Sequence, residues 1–270
     1  MEQQNLNKQF ASELLYGKQK KLILPSGYYV IIREQNGADD DILSNQATAR
    51  DLSNMDIFIA SLVIETDLPF SVNNKLTQKL AENLLLRDKY FIMFASRIHS
   101  MGNIVKFEFD WGEENGGLQK YSDDLNNYVW DYSKPMPEKN EPEYYEYRIE
   151  PYDHALAYND IEITLESGKV IKFNFLDTKA ERKLMKLPLD QQSRNTDLRA
   201  RNLMQRTEEG WQKVENFQFF TKKEMIEIHK IVSDYDPSFQ GLTELENPID
   251  KSIIKYPILS TRDFFYPVEI

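Results

Sequence analysis

Leu24-Pro25-Ser26-Gly27-Tyr28-Tyr29-Val30-Ile31-Ile32 is a tight turn opening into a strand. Ser26-Gly27 supplies the turn, because glycine enters the left-handed backbone region without a Cβ clash. The aromatic and β-branched residues that follow favour extended chain. The pattern returns in the second half as Leu165-Glu166-Ser167-Gly168-Lys169-Val170-Ile171-Lys172-Phe173. An acidic, helix-favouring stretch follows each copy: Asp39-Asp40-Asp41-Ile42-Leu43 after the first, and Asp177 through Leu184 after the second. The shared order predicts an α+β fold of two related halves, each a small antiparallel β unit with packed helices.

Further elements follow on both sides. Leu52, Met55, Ile59, Leu62 and Val63 recur at helical spacing and predict one apolar face. Phe91, Phe94, Ala95 and Ile98 make the stripe of a second helix over Asp88–Ser100, with Asp88 suited to its start. Thr221-Lys222-Lys223-Glu224 is a capping-box pattern. It opens a helix with Met225, Ile228, Ile231 and Val232 on one face, which should stop before Asp236-Pro237. Val105, Phe107, Phe109 and Trp111 alternate with Lys106, Glu108 and Asp110, the period-two signature of a half-buried strand. Glu113 through Gly117 then turns the chain. Ile254, Tyr256 and Ile258 repeat the alternation late in the sequence, with Pro257 pointing to an edge position.

The chain has 270 residues, 41% apolar, with 15 Phe, 15 Tyr and 3 Trp, enough to bury a core. Pro135, Pro137 and Pro142 break regular structure. They set a linker at 133–143 between an N-terminal half, 1–132, and a C-terminal half, 144–270. No run approaches the about 20 apolar residues that span a bilayer. The start, Met1 through Lys8, lacks the basic flank and apolar run of a secretory signal. The expectation is an intracellular chain or a component of a particle assembled inside a cell. With 33 bases against 44 acids the net charge is −11, which disfavours nucleic acid and anionic membrane as partners. There are no cysteines, so thiol catalysis, disulfides, iron–sulfur clusters and Cys-ligated zinc are excluded.

No phosphate-binding glycine loop, nucleophile elbow or zinc-protease motif is present. His99, His154 and His229 stand far apart and lack metal-ligand spacing. Asp39-Asp40-Asp41 lacks the alternating oxygens of a calcium loop and reads as the start of a helix. These patterns assign no catalytic residue, cofactor or metal. Residues 108–150 hold twelve acids against four bases, a local net of −8, and residues 179–206 hold eight bases against three acids, a local net of +5. The basic run, with Arg199 and Arg201, is either a solvated helix face or a docking patch for an acidic partner. Phe264, Phe265 and Tyr266 either close the C-terminal half or anchor a partner. Tyr144, Tyr145, Tyr147 and Tyr152, set among glutamates, fit a protein interface or packing on their own domain. The apolar region 46–66 offers a further helix that could face a neighbour.

Five segments together resemble the T-even-type bacteriophage baseplate-hub assembly proteins, a family of tail-assembly, chaperone-like chains. They are Leu24 through Gly27; Leu84-Leu85-Leu86-Arg87-Asp88 followed by Arg97 through Gly102; the strand Val105–Trp111; Leu165 through Lys169; and Asp236-Pro237-Ser238-Phe239 leading into Ser260 through Pro267. The similarity spans nearly the whole chain. Members often carry Cys-x-x-Cys knuckles where this chain has Asp110-Trp111-Gly112-Glu113 and Leu245-Glu246-Asn247-Pro248. No metal carries over, and hairpin hydrogen bonds and aromatic packing must hold that region. The resemblance implies a non-enzymatic assembly role through protein–protein contacts with other baseplate or tail-hub proteins, a possible homo-oligomer, and a place in the virion tail or, during assembly, the host cytoplasm. Alternatives are a structural or adaptor component of another particle part and, more remotely, an enzyme built from scattered carboxylates and histidines. A pocket gathering two of the histidines, or several carboxylates, would mark the enzyme.

Overall fold

The computed structural model describes residues 17–191, 193–260 and 262–266. Both halves run in the same broad order of hairpin, short helices, added strand, long helix and closing hairpin. In the first, strands β1 (Gln19–Ile23) and β2 (Tyr29–Arg33) form a hairpin. Helices α1 (Gly37–Ser44), α2 (Gln46–Arg50) and α3 (Asn54–Leu62) follow. Strand β3 (Val63–Thr66) then joins β2, giving the sheet order β1-β2-β3. A short helix α4 (Gln78–Ala81), the long helix α5 (Leu86–Met101) and the hairpin β4 (Ile104–Asp110)–β5 (Leu118–Asp124) complete the half.

The second half repeats the order. The hairpin β6 (Ile161–Thr164)–β7 (Val170–Phe173) precedes helices α6 (Thr178–Lys186) and α7 (Arg194–Ala200). β8 (Met204–Thr207) joins β7, and β9 (Gly210–Lys213) extends the sheet to β6-β7-β8-β9. The long helix α8 (Lys222–Tyr235) leads to the hairpin β10 (Leu242–Glu246)–β11 (Ile253–Pro257), and α9 (Arg262–Phe265) ends the described chain. All strand pairs are antiparallel and the fold is α+β, with two related halves.

The two Ser-Gly turns close with the same pair of bonds. Leu24 N–H donates to Tyr28 O and Gly27 N–H to Leu24 O; Leu165 N–H donates to Lys169 O and Gly168 N–H to Leu165 O. Gly27 and Gly168 both sit at φ +85°, where a side chain is strained. Three expectations shift by a few residues. Leu52, at φ +60°, lies before α3 instead of in it, and Val63 leaves the helix to pair with Ile32 in the sheet. Helix α5 starts at Leu86 and not Asp88, and its first N–H, at Leu86, donates to Leu176 O across the molecule. Ile258 sits in a 3-10 turn beyond β11. The capping box at Thr221–Glu224 forms, and α8 ends at Tyr235 as the Asp236-Pro237 pair requires.

Residues 133–143 carry neither helix nor strand. One buried cluster gathers around β1–β3, α3 and α5, and a second around β6–β8 and α8. A third crosses the 133–143 segment: Phe94, Val105, Phe107 and Tyr128 from one side pack with Leu245, Ile258 and Phe264 from the other. Here the knuckle positions of the two halves meet. The Phe107 ring stacks on Tyr256 at 5.8 Å, and Trp111 Nε1–H donates to Tyr121 Oη at 2.7 Å. Tyr121 donates in turn to Glu246 O at 3.0 Å, and a Cβ on Gly116 would come within 2.5 Å of Pro248 Cγ.

Candidate functional site

The sequence-selected residues divide on burial. Arg201 is 5% exposed; it pairs with Asp197 at 2.8 Å and Asp236 at 2.5 Å. Phe264 is fully buried, its ring 5.1 Å from Phe94 and 4.9 Å from Phe265. Both side chains are covered by residues of this chain. A guanidinium can be buried only where carboxylates compensate it, and Phe264 fills the third core cluster. Arg199 is exposed and lies over the Phe217 ring at 5.0 Å. Phe265 is half-buried against Phe58 at 6.3 Å. Tyr266 is also half-buried, with its hydroxyl 3.5 Å from Asp40 O.

The tyrosines past 143 pack largely on their own chain. Tyr145 meets Tyr128 edge-on at 5.4 Å, Tyr147 donates to Glu244 at 2.5 Å, and Tyr152 packs on Phe175 at 4.6 Å. Asp39 is held by two 2.7 Å bonds from Arg33 and opens α1. The histidines have separate neighbours: Lys18 O for His99, the Tyr28 ring for His154 and Asn195 for His229. Among the described residues no group of three or more His, Asp or Glu is arranged to hold a metal ion.

A cleft of about 490 Å³ brings the two halves together. Leu52 and Met55 from the region around α3, Met93 from α5, Met185 from α6, and Leu259 and Phe265 from the C-terminal segment give it an apolar lining. Backbone pairing sets this seam: Leu86 N–H donates to Leu176 O at 3.1 Å and Thr178 N–H to Leu84 O at 2.9 Å, so α6 starts against the start of α5. Met185 is 63% exposed at the lip. Methionine's flexible thioether side chain suits surfaces that must adapt to an incoming group.

The cleft's ionic groups are committed to one another. Glu181 accepts from Lys89 Nζ and Tyr90 Oη. Arg182 reaches Asp56 at 3.1 Å and Glu82 at 3.0 Å. Burial raises the Tyr90 hydroxyl well above its ordinary value, reinforced by Glu181, so it does not ionise to act as a base near neutral pH. Asp56 is 1% exposed, and burial raises it to about 6 against the pull of Arg182 and Lys89. Neither Asp56 oxygen has an aligned hydrogen-bond donor.

Region 46–66 and Phe265 had marked parts of this cleft; Lys89, Tyr90, Glu181 and Arg182 had not. No local pattern singles them out, because nothing near residue 89 in the sequence pairs it with residue 181. In comparisons with known proteins, no family model, curated protein or solved structure matches the chain. No described helix is long and apolar enough to cross a membrane.

Proposed function

We propose that this chain is a non-enzymatic assembly protein that works through contacts with other polypeptides in a bacteriophage tail or baseplate hub. The observation that carries the reading is the seam cleft: an open, methionine-lined surface shared by both halves, whose charged groups are already neutralised by one another. Such a surface gains free energy by covering apolar area. It offers few uncompensated charges to stabilise a transition state. The hub assignment rests on the five segments that together resemble the baseplate-hub family, taken in their joint order along the chain. The partners are other hub or tail proteins, with a homo-oligomer as a further possibility; nucleic acid is not among them. A structural or adaptor role in another particle part is the nearest alternative.

The test is affinity purification of the tagged full chain from infected cells, with mass spectrometry of purified virions. Recovery with hub and tail-tube proteins, reduced at least tenfold by Met185→Glu and restored by Met185→Leu, supports the reading. Recovery with capsid or portal proteins alone overturns the hub assignment. An enzyme would gain support from the Lys89–Tyr90–Glu181 cluster; turnover abolished by Glu181→Gln would establish it.

A further inference from the structure

Strand β1 is an outer strand of its sheet. The bonds Leu24 N–H to Tyr28 O and Glu34 N–H to Lys18 O fix its phase. Lys18, Lys20, Leu22 and Leu24 therefore direct their backbone groups toward β2. Gln19, Lys21 and Ile23 direct theirs to the outer edge, Gln19 being engaged in a contact of its own. No described strand pairs with that edge.

A groove of about 550 Å³ runs beside it, between β1, α5 and residues 126–134. Phe91, Ala95 and Ile98 line one wall, and Val129 and Trp130 the other. Exposed Lys20 and Lys21 stand at the rim, and neither has an acidic partner among the described residues. Lys134 also lies on the rim, 3.4 Å from Asp131. Lysine on an edge strand commonly deters pairing. Here the lysines border an apolar groove, and that combination admits one class of strand while rejecting others.

We propose that the β1 edge and its groove form a strand-addition site for an extended segment of a partner protein in which apolar and acidic residues alternate. Successive side chains of an added strand point to opposite faces. One set enters the groove against Phe91, Ala95 and Ile98. The other passes the sheet face on which Lys21 lies over the Tyr29 ring. A second copy of this chain is the wrong occupant, because β1 against β1 would oppose lysine to lysine, and like charges directly opposite destabilise a pair. The site lies apart from the methionine-lined cleft and does not depend on which particle the chain serves.

The experiment is amide hydrogen exchange by NMR on the full chain, with and without an eight-residue peptide alternating isoleucine and glutamate. The expected result is at least tenfold slower exchange at the Lys21 and Ile23 amides, with binding that weakens as salt rises. The surface double variant K20E/K21E should lose that peptide at least tenfold and gain one alternating isoleucine and lysine. Ile23→Pro, which removes an outward N–H, should weaken both peptides. Unchanged exchange at Lys21 and Ile23, or equal binding of the acidic peptide by K20E/K21E, overturns the proposal. Slow exchange of these amides without peptide also overturns it: its loss on deleting residues 1–16 would make this chain's own segment the occupant, and its dependence on protein concentration would make a second copy the occupant.

Discussion

At the first Ser-Gly turn, Ser26 N–H donates to Asp88 of α5 at 3.0 Å, and Tyr158 Oη donates to the other carboxylate oxygen at 2.7 Å. At the second, Glu166 N–H donates to Glu227 of α8 at 2.8 Å, while Glu224 receives Lys169 Nζ at 3.0 Å and Thr221 N–H at 2.7 Å. A carboxylate from the long helix grips the hairpin turn in both halves. The electrostatics are opposite. Burial raises Asp88 from the ordinary 3.8 to about 6, although its hydrogen bonds oppose the shift. Hydrogen bonds, first from Ser167 and then from Thr221 and Lys169, hold Glu224 down from 4.5 to about 2. One motif thus holds a carboxyl whose proton is retained in the first half and a carboxylate kept ionised by its donors in the second. The first turn is covered by the segment around His154 and Tyr158; the second faces open space at Gly168.

The largest expected effect falls on the tie between the halves. Asp236 receives Arg87 at 2.9 Å from the first half and Arg201 at 2.5 Å from the second. Asp236→Ala leaves two buried guanidinium groups without that carboxylate and should cost about 3–5 kcal/mol in urea unfolding. A loss confined to one half's spectroscopic signal would show the halves to be energetically separate.

Next is the Asp88 titration. Its folded value lies above its unfolded one, so its stabilising contribution is complete below about pH 4 and lost as pH rises through about 6. A shift of this size is on the order of 2–3 kcal/mol. Asp88→Asn should reduce the slope of the stability profile across that window, leaving the part due to Asp56, which burial also raises to about 6; an unchanged slope would assign it to another group.

A smaller difference separates the glycines. Gly168→Ala should cost about 1–2 kcal/mol for its left-handed backbone alone. Gly27→Ala should cost more, because its Cβ would lie 1.9 Å from His154 Cδ2. Removing the ring with His154→Ala in the Gly27→Ala background should narrow that gap, and a double-mutant cycle measures the change.

The smallest effect is expected at Glu224. Its lowered value makes its contribution full above about pH 4.5 and lost as pH falls toward about 2, the reverse of Asp88. Glu224→Gln should lower Tm slightly at neutral pH and remove that acid-side slope, a change calorimetry can resolve.

What could be read from the chain was local. Ser26-Gly27 and Ser167-Gly168 specify their turns through glycine's backbone freedom. Val105 through Trp111 specifies a strand through alternation, and Thr221–Glu224 specifies a helix start through side chains that bond the backbone three residues away. The repeated order, and with it the α+β class, followed from these neighbours alone. The burial of Arg201, the seat of Phe264 in a core shared by both halves, and the meeting of Lys89, Tyr90 and Glu181 came only with the tertiary structure. Each depends on residues distant in sequence. Whether a charge lies in water or against a carboxylate depends on what packs above it, and the periodicity of its own helix does not specify that neighbour.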